Sequence, residues 1–149
     1  MKLFACAKIV GNSEYPKLSG SANFYEDPSK GVWVEVEVTG LPDQQSSNHS
    51  NFYGLHIHEI GNCTPPFDKT GDHYNPTKKP HPNHAGDLPP LLGNDGYAFL
   101  FVYTNRLKAE NIINRSIVIH SDEDDFTTQP SGAAGDKIGC GVIRRCMLV

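Results

Sequence analysis

At 149 residues the chain is long enough for one domain burying roughly two-thirds of its unfolded surface, without an external staple. Thirteen Lys and Arg against seventeen Asp and Glu leave a formal net charge of −4, which argues against a nucleic-acid partner and an anionic membrane surface. No run of about 18 apolar residues is present, so no helical membrane span is expected.

The opening Met1-Lys2-Leu3-Phe4-Ala5-Cys6-Ala7-Lys8 has a basic start, but its apolar part is too short for a signal peptide and Lys8 interrupts it. It reads as a first strand, and the chain as cytoplasmic. Leu18 to Tyr25 alternates Leu18, Gly20, Ala22 and Phe24 with Ser19, Ser21, Asn23 and Tyr25. From Val32 to Thr39 every even position is Val, while Glu35 and Glu37 face the other way. Such period-two patterns mark half-buried strands. Further strands are expected at 2–10, 52–59, 96–104, 115–120 and 138–146, separated by turn clusters such as Asp27-Pro28-Ser29-Lys30-Gly31 and Asn94-Asp95-Gly96. A helical stripe is weakly present only around Arg106 to Ile113. Many short strands without helices imply an all-β sandwich or barrel in one domain, 1–149. Gln44 to Asn51 reads as a solvated polar loop, with His49 a surface residue. Ile60–His84 and Ser121–Asp136 are too long and irregular for plain turns, and structureless loops of that length are usually functional.

Five of the seven histidines lie between Gly54 and Asp87, a clustering that packing does not explain and metal ligation does. His56 and His58 are two apart on an expected strand, so both imidazoles leave one face while Leu55 and Ile57 turn to the core. They can share a metal, and His120, ending the strand Ser116-Ile117-Val118-Ile119-His120, can supply a third nitrogen. His73, His81, His84 and Asp87 offer a second set of three nitrogens and one carboxylate, which suits tetrahedral zinc. An open, all-imidazole site on rigid strands suits copper.

At these residues the chain resembles the Cu/Zn superoxide dismutase family. The matching segments are Gly54-Leu55-His56-Ile57-His58-Glu59, His73-Tyr74-Asn75-Pro76, His84-Ala85-Gly86-Asp87-Leu88, the Val118-Ile119-His120 strand end followed by acidic residues, and Gly139-Cys140-Gly141-Val142-Ile143. They stand in the family's order, and Asp87-Leu88-Pro89 and the stretch 125–132 are closer to its bacterial members. The resemblance implies an eight-stranded Greek-key β-barrel with a long metal-binding loop and an electrostatic-type loop. It implies dismutation of superoxide to oxygen and hydrogen peroxide, with one copper and one zinc per subunit. Copper is then held by His56, His58, His73 and His120, and zinc by His73, His81, His84 and Asp87. His73 would be the bridge that trades copper for a proton. Asp124 matches the family's aspartate linking a copper ligand, His56, to a zinc ligand, His81. Cys63 and Cys140 match its intrasubunit disulfide, which leaves Cys6 as a buried free thiol on the first strand and Cys146 without a partner. A homodimer is expected from the apolar C-terminal strand and Gly61.

This chain departs from the family pattern in three places. His81 and His84 are three positions apart, which shortens the zinc loop. Cys63 lies nearer His58 than in animal members. Lys137 stands where the family has its active-site arginine, keeping the charge but not the planar fork of donors. Lys69, Lys78 and Lys79 are further candidates for steering the anion. Two other classes compete: a dismutase-like copper-delivery module, whose mark would be a missing copper ligand, and a catalytically silent zinc-stabilised protein.

Overall fold

The computed structural model describes residues 1–44 and 50–146; His49, with most of the polar 44–51 loop, lies outside them. The first three strands run as the alternation dictates: β1 Lys2–Gly11, β2 Ser19–Glu26 and β3 Val32–Thr39. On β3 the four valines are fully buried while Glu35 and Glu37 face outward. Each buried valine contributes about 1.5–3 kcal/mol relative to exposure. There follow β4 Phe52–Tyr53, β5 Leu55–His58, β6 Leu91–Leu92 and β7 Ala98–Thr104. The last are β8 Ser116–His120, β9 Lys137–Val142 and β10 Arg144–Arg145.

The segment expected as one strand over 52–59 is interrupted at Gly54, and that over 138–146 at Ile143. Counting each interrupted pair once, the ten pieces among the described residues make eight strands. Their hydrogen-bonded order is β5-β8-β9-β1-β2-β3-β7, all antiparallel, with β10 beside β1. β4 pairs with β6, and β6 packs against β7. Since β4 runs directly into β5, the sheet curls round and closes: a Greek-key β-barrel, in which the β3–β4 and β7–β8 connections cross its ends. The weak helical stripe condenses to one turn, α1 Ala109–Ile112, whose Ala109 and Ile112 join the core together with the preceding Leu107. That core also takes Ile9, Phe24, Leu55, Ile57, Ile117, Ile119 and Ile138.

The cysteine expectation needs one correction. Cys63 and Cys140 are paired, with Cα atoms 5.6 Å apart, but Cys6 is neither buried nor free. It is half-buried and bonded to Cys146, their Cα atoms 5.2 Å apart. The reason is register: β10 lies alongside β1 with Cys6 opposite Arg144, which brings the residue after β10 back onto β1.

Candidate metal centre

The site is built on the outer face of the β5–β8 pair. Leu55 faces Ile119, and His56 faces Val118 across this ladder. With Leu55, Ile57, Ile117 and Ile119 turned inward, the period of two puts His56, His58 and His120 outward. Yet every residue of both strands is buried, because the two long loops cover that outer face.

The first loop returns to the free edge of β5. Tyr74 N–H donates to Ile57 O at 2.8 Å and Ile57 N–H to Gly86 O at 2.8 Å; isolated bridges join His58 to His73 and His56 to Asp87. The Cys63–Cys140 disulfide ties the loop to β9, over a small apolar cluster with Phe67 and Val118. The second loop folds on itself, Asp122 N–H donating to Ala134 O at 2.8 Å and Asp125 N–H to Gly132 O at 2.9 Å. Gln129 clips the two loops together by accepting from His81 N–H at 2.9 Å and donating to His81 O at 2.8 Å.

The histidines converge as two sets. His56, His58, His73 and His120 each place a nitrogen within 4.8 Å of the others. His58 Nε2 and His120 Nε2 face each other at 3.2 Å, and His56 Nδ1 and His73 Nε2 are buried without a hydrogen-bond partner. In the second set His73 Nδ1 lies 2.9 Å from Asp87 Oδ1 and 3.1 Å from His84 Nδ1. His84 Nδ1 is 3.3 Å from Asp87 Oδ2 and His81 Nδ1 is 3.0 Å from it. That last approach is close without the alignment of a hydrogen bond, and His81 Nδ1 remains unpartnered: both atoms are aimed at a common point. One four-residue group here, His56, His73, His81 and Asp87, has ligand atoms all within 4.8 Å of one another. His56 enters it because its ring stacks on His73 at 3.9 Å. Its Nε2 is already taken by Asp124, while His84 Nδ1 stands beside the same His73 and Asp87 atoms.

Electrostatics favours neutral rings at His56, His58, His84 and His120. Burial, reinforced by neighbouring imidazoles, pushes His56 and His120 well below the usual histidine value, and burial with His120 alongside brings His58 down to about 2. Burial lowers His84 too. Burial opposes ionisation of Asp87, but the hydrogen bond from His73 and the surrounding imidazoles hold its carboxyl below the ordinary value. Unprotonated nitrogens beside a carboxylate, buried and in part without partners, are what a bound cation requires. His73 offers its unpartnered Nε2 to the first set and its Nδ1 to the second. The residues therefore fit two adjacent metal ions.

Asp124 explains why these rings point as they do. It is 5 % exposed, unlike the exposed Glu123 and Asp125 beside it. Its Oδ2 accepts from His56 Nε2 at 2.8 Å and its Oδ1 from His81 Nε2 at 2.8 Å. With the Nε2 protons committed there, both Nδ1 lone pairs face the metal sites, the orienting role expected around ligating histidines. Gly132, at φ +74°, passes so close that a Cβ would collide with Asp124 Oδ1.

Lys137 opens β9 opposite His120 and borders a surface cavity with His58, His73, His120 and Gly71. Its Nζ donates to Thr70 Oγ1 at 2.7 Å and reaches Gly71 O at 3.4 Å. Burial lowers its pKa, opposed by Asp72 and Asp68. The sequence reading missed Thr70, Gln129 and Gly132: none is a ligand type, and each acts by holding a residue that is.

Comparison with known proteins gives one consistent answer. The family described as copper/zinc superoxide dismutase (SODC) matches residues 18–143. A superoxide dismutase [Cu-Zn] of Deinococcus radiodurans is 38 % identical over 150 residues, covering 86 % of this chain and 78 % of that one. Superoxide dismutase [Cu-Zn] 2 of Mesembryanthemum crystallinum is 32 % identical over 155 residues, with 93 % of each chain covered. The crystal structure of the clock protein EA4 superposes with a TM-score of 0.81 at 28 % identity, covering 96 % of this chain and 94 % of that one.

Proposed function

Because the chain belongs to the copper/zinc superoxide dismutase family, we infer that it dismutates superoxide to oxygen and hydrogen peroxide. The observation that carries this is the pair of buried donor sets joined through His73. His56, His58, His73 and His120 would hold copper; His73, His81, His84 and Asp87 would hold zinc. Copper, when bound, would supply the one-electron redox chemistry that dismutation needs.

The chain's own part is attraction, orientation and proton handling. The cavity bordered by Lys137 leads to the open side of the copper set, and its ammonium draws an anion toward a protein of net charge −4. Thr70 Oγ1 and Gly71 O fix where that charge sits. Asp124 holds two ligands in one tautomer, and His73 Nε2 is the buried atom at which the chain carries a proton for the departing peroxide. A zinc ion held by His73, His81, His84 and Asp87 would keep the His73 ring in place. We also propose a homodimer, supported by Ile60, 48 % exposed beside Gly61; sedimentation checks it.

Two metals per chain by elemental analysis, together with superoxide consumption, separate this reading from a delivery module or a silent zinc protein. His120→Ala removes a ligand used only by copper and carried on the barrel. It should abolish dismutation while zinc content and fold persist; copper-dependent turnover near the native rate would sink the assignment.

A further inference from the structure

All four cysteines border one surface cavity, whose lining among the described residues holds no histidine. Its charged lining among the described residues is Lys8, Arg144 and Arg145, with no carboxylate. This is a cationic patch on a chain of net charge −4. The two disulfides differ in access. Cys140 is fully buried, and Cys63 packs against it, Phe67 and Val118. Cys6 and Cys146 are both half-buried. Cys6 sits on the outward face of β1, opposite Arg144 in register and two residues from Lys8 on the same face.

We propose that this cavity is a docking and modification site for anionic low-molecular-weight thiols, which exchange with the Cys6–Cys146 disulfide at the Cys146 sulfur. The incoming thiolate attacks Cys146 Sγ, a new sulfur–sulfur bond forms there, and the Cys6–Cys146 bond breaks. Its electron pair leaves on Cys6 Sγ. The disulfide is reduced by the thiol that is itself oxidised into the mixed disulfide, so no other oxidant or reductant is needed. Direction follows from the leaving group. A thiolate leaves faster the lower its pKa, and neighbouring cations lower it; Arg144 and Lys8 flank Cys6. The same cations concentrate a carboxylate-bearing thiol such as glutathione over a neutral or cationic one. Modification severs the covalent tie between β1 and the C-terminal end of the barrel while leaving Cys63–Cys140, the tie to the metal loop, in place.

The test exposes the oxidised, metal-loaded protein in parallel to glutathione, β-mercaptoethanol and cysteamine. Rates are corrected for thiolate fraction and intrinsic nucleophilicity, and adducts are mapped by mass spectrometry. Glutathione should react fastest, on the order of ten-fold ahead of cysteamine at low salt, with its adduct on Cys146. The advantage should shrink as salt rises. Arg144→Gln combined with Arg145→Gln, which leaves only Lys8, should remove most of that advantage and leave the dismutation rate unchanged. Equal corrected rates for the three thiols, a preference indifferent to salt, or a first adduct on Cys63 or Cys140 would each overturn the proposal, and the first two need no variant.

Discussion

Replacing Asp124 by Asn keeps shape and volume but turns one of two acceptors into a donor. The native carboxylate accepts three hydrogen bonds: from His81 Nε2 and Phe126 N–H on Oδ1, each at 2.8 Å, and from His56 Nε2 on Oδ2 at 2.8 Å. The amide preserves most by leaving its oxygen at Oδ1, which keeps two of the three and sets its N–H against His56 Nε2–H. A buried donor left facing a donor costs about 1–3 kcal/mol. His56 escapes only by moving its proton to Nδ1, the lone pair aimed at the copper set. Losing an orienting partner of a ligand typically lowers metal affinity 10–100-fold, which is about 1.4–2.8 kcal/mol. Copper affinity in Asp124→Asn should therefore fall by that factor, and zinc affinity by less, because His81 keeps its acceptor. Chelator competition run separately for each metal reads both. Copper affinity within about two-fold of native, or zinc suffering more than copper, would refute this account of what Asp124 does.

Gly132→Ala attacks the same carboxylate from the other side: a Cβ there would meet Asp124 Oδ1 and lie 2.7 Å from His81 Nε2, in a left-handed conformation that disfavours alanine. Here zinc affinity should drop first, as the same competition assay would show. Lys137→Ala should slow dismutation at low salt, with the deficit closing as ionic strength shortens the screening length toward about 8 Å and below. Lys137→Arg should retain or improve the rate, and an alanine variant as fast as native at low salt would make Lys137 a bystander. In the metal-free protein, His56, His58 and His120 titrate below the ordinary 6.5. Below pH 6.5 the unfolded chain thus binds protons that the folded one refuses, and stability should fall from pH 6.5 to 5 by up to about 1.4 kcal/mol per pH unit for each such histidine. Denaturant midpoints flat across that window would contradict it.

The sequence announced most of the barrel because its strands carry their own period: the valines of β3 and the Leu-His-Ile-His run of β5 read directly as one face in and one face out. β6 escaped notice because two residues hold no period at all. Of the copper set, His56, His58 and His120 were legible from spacing because strands fix direction; His73, on a loop, was not. His81 and His84 sit on irregular chain, where residue type and loop position grouped them with His73 and Asp87 but gave no direction to their rings. Asp124 could not be told from Asp122, Glu123 and Asp125 by type; burial and the hydrogen bonds to two histidines distinguish it. The Cys6–Cys146 bond depended on β10 folding back on β1, and pairing across 140 positions leaves no local trace.

The β5–β8 pair is buried on both faces, so it is a partition between two rooms of opposite chemistry, hydrocarbon on one side and imidazole on the other. Sliding either strand by one residue exchanges its faces. Leu55 and Ile57 would then stand where nitrogens are needed, and His56 and His58 would be thrust, unpaired, into the oil. In an ordinary strand such a slip forfeits one interior; here it ruins both. The alignment of these two short strands is thereby checked twice, once by hydrophobic packing and again by metal capture, and only the alignment that passes both gives a folded, loaded protein.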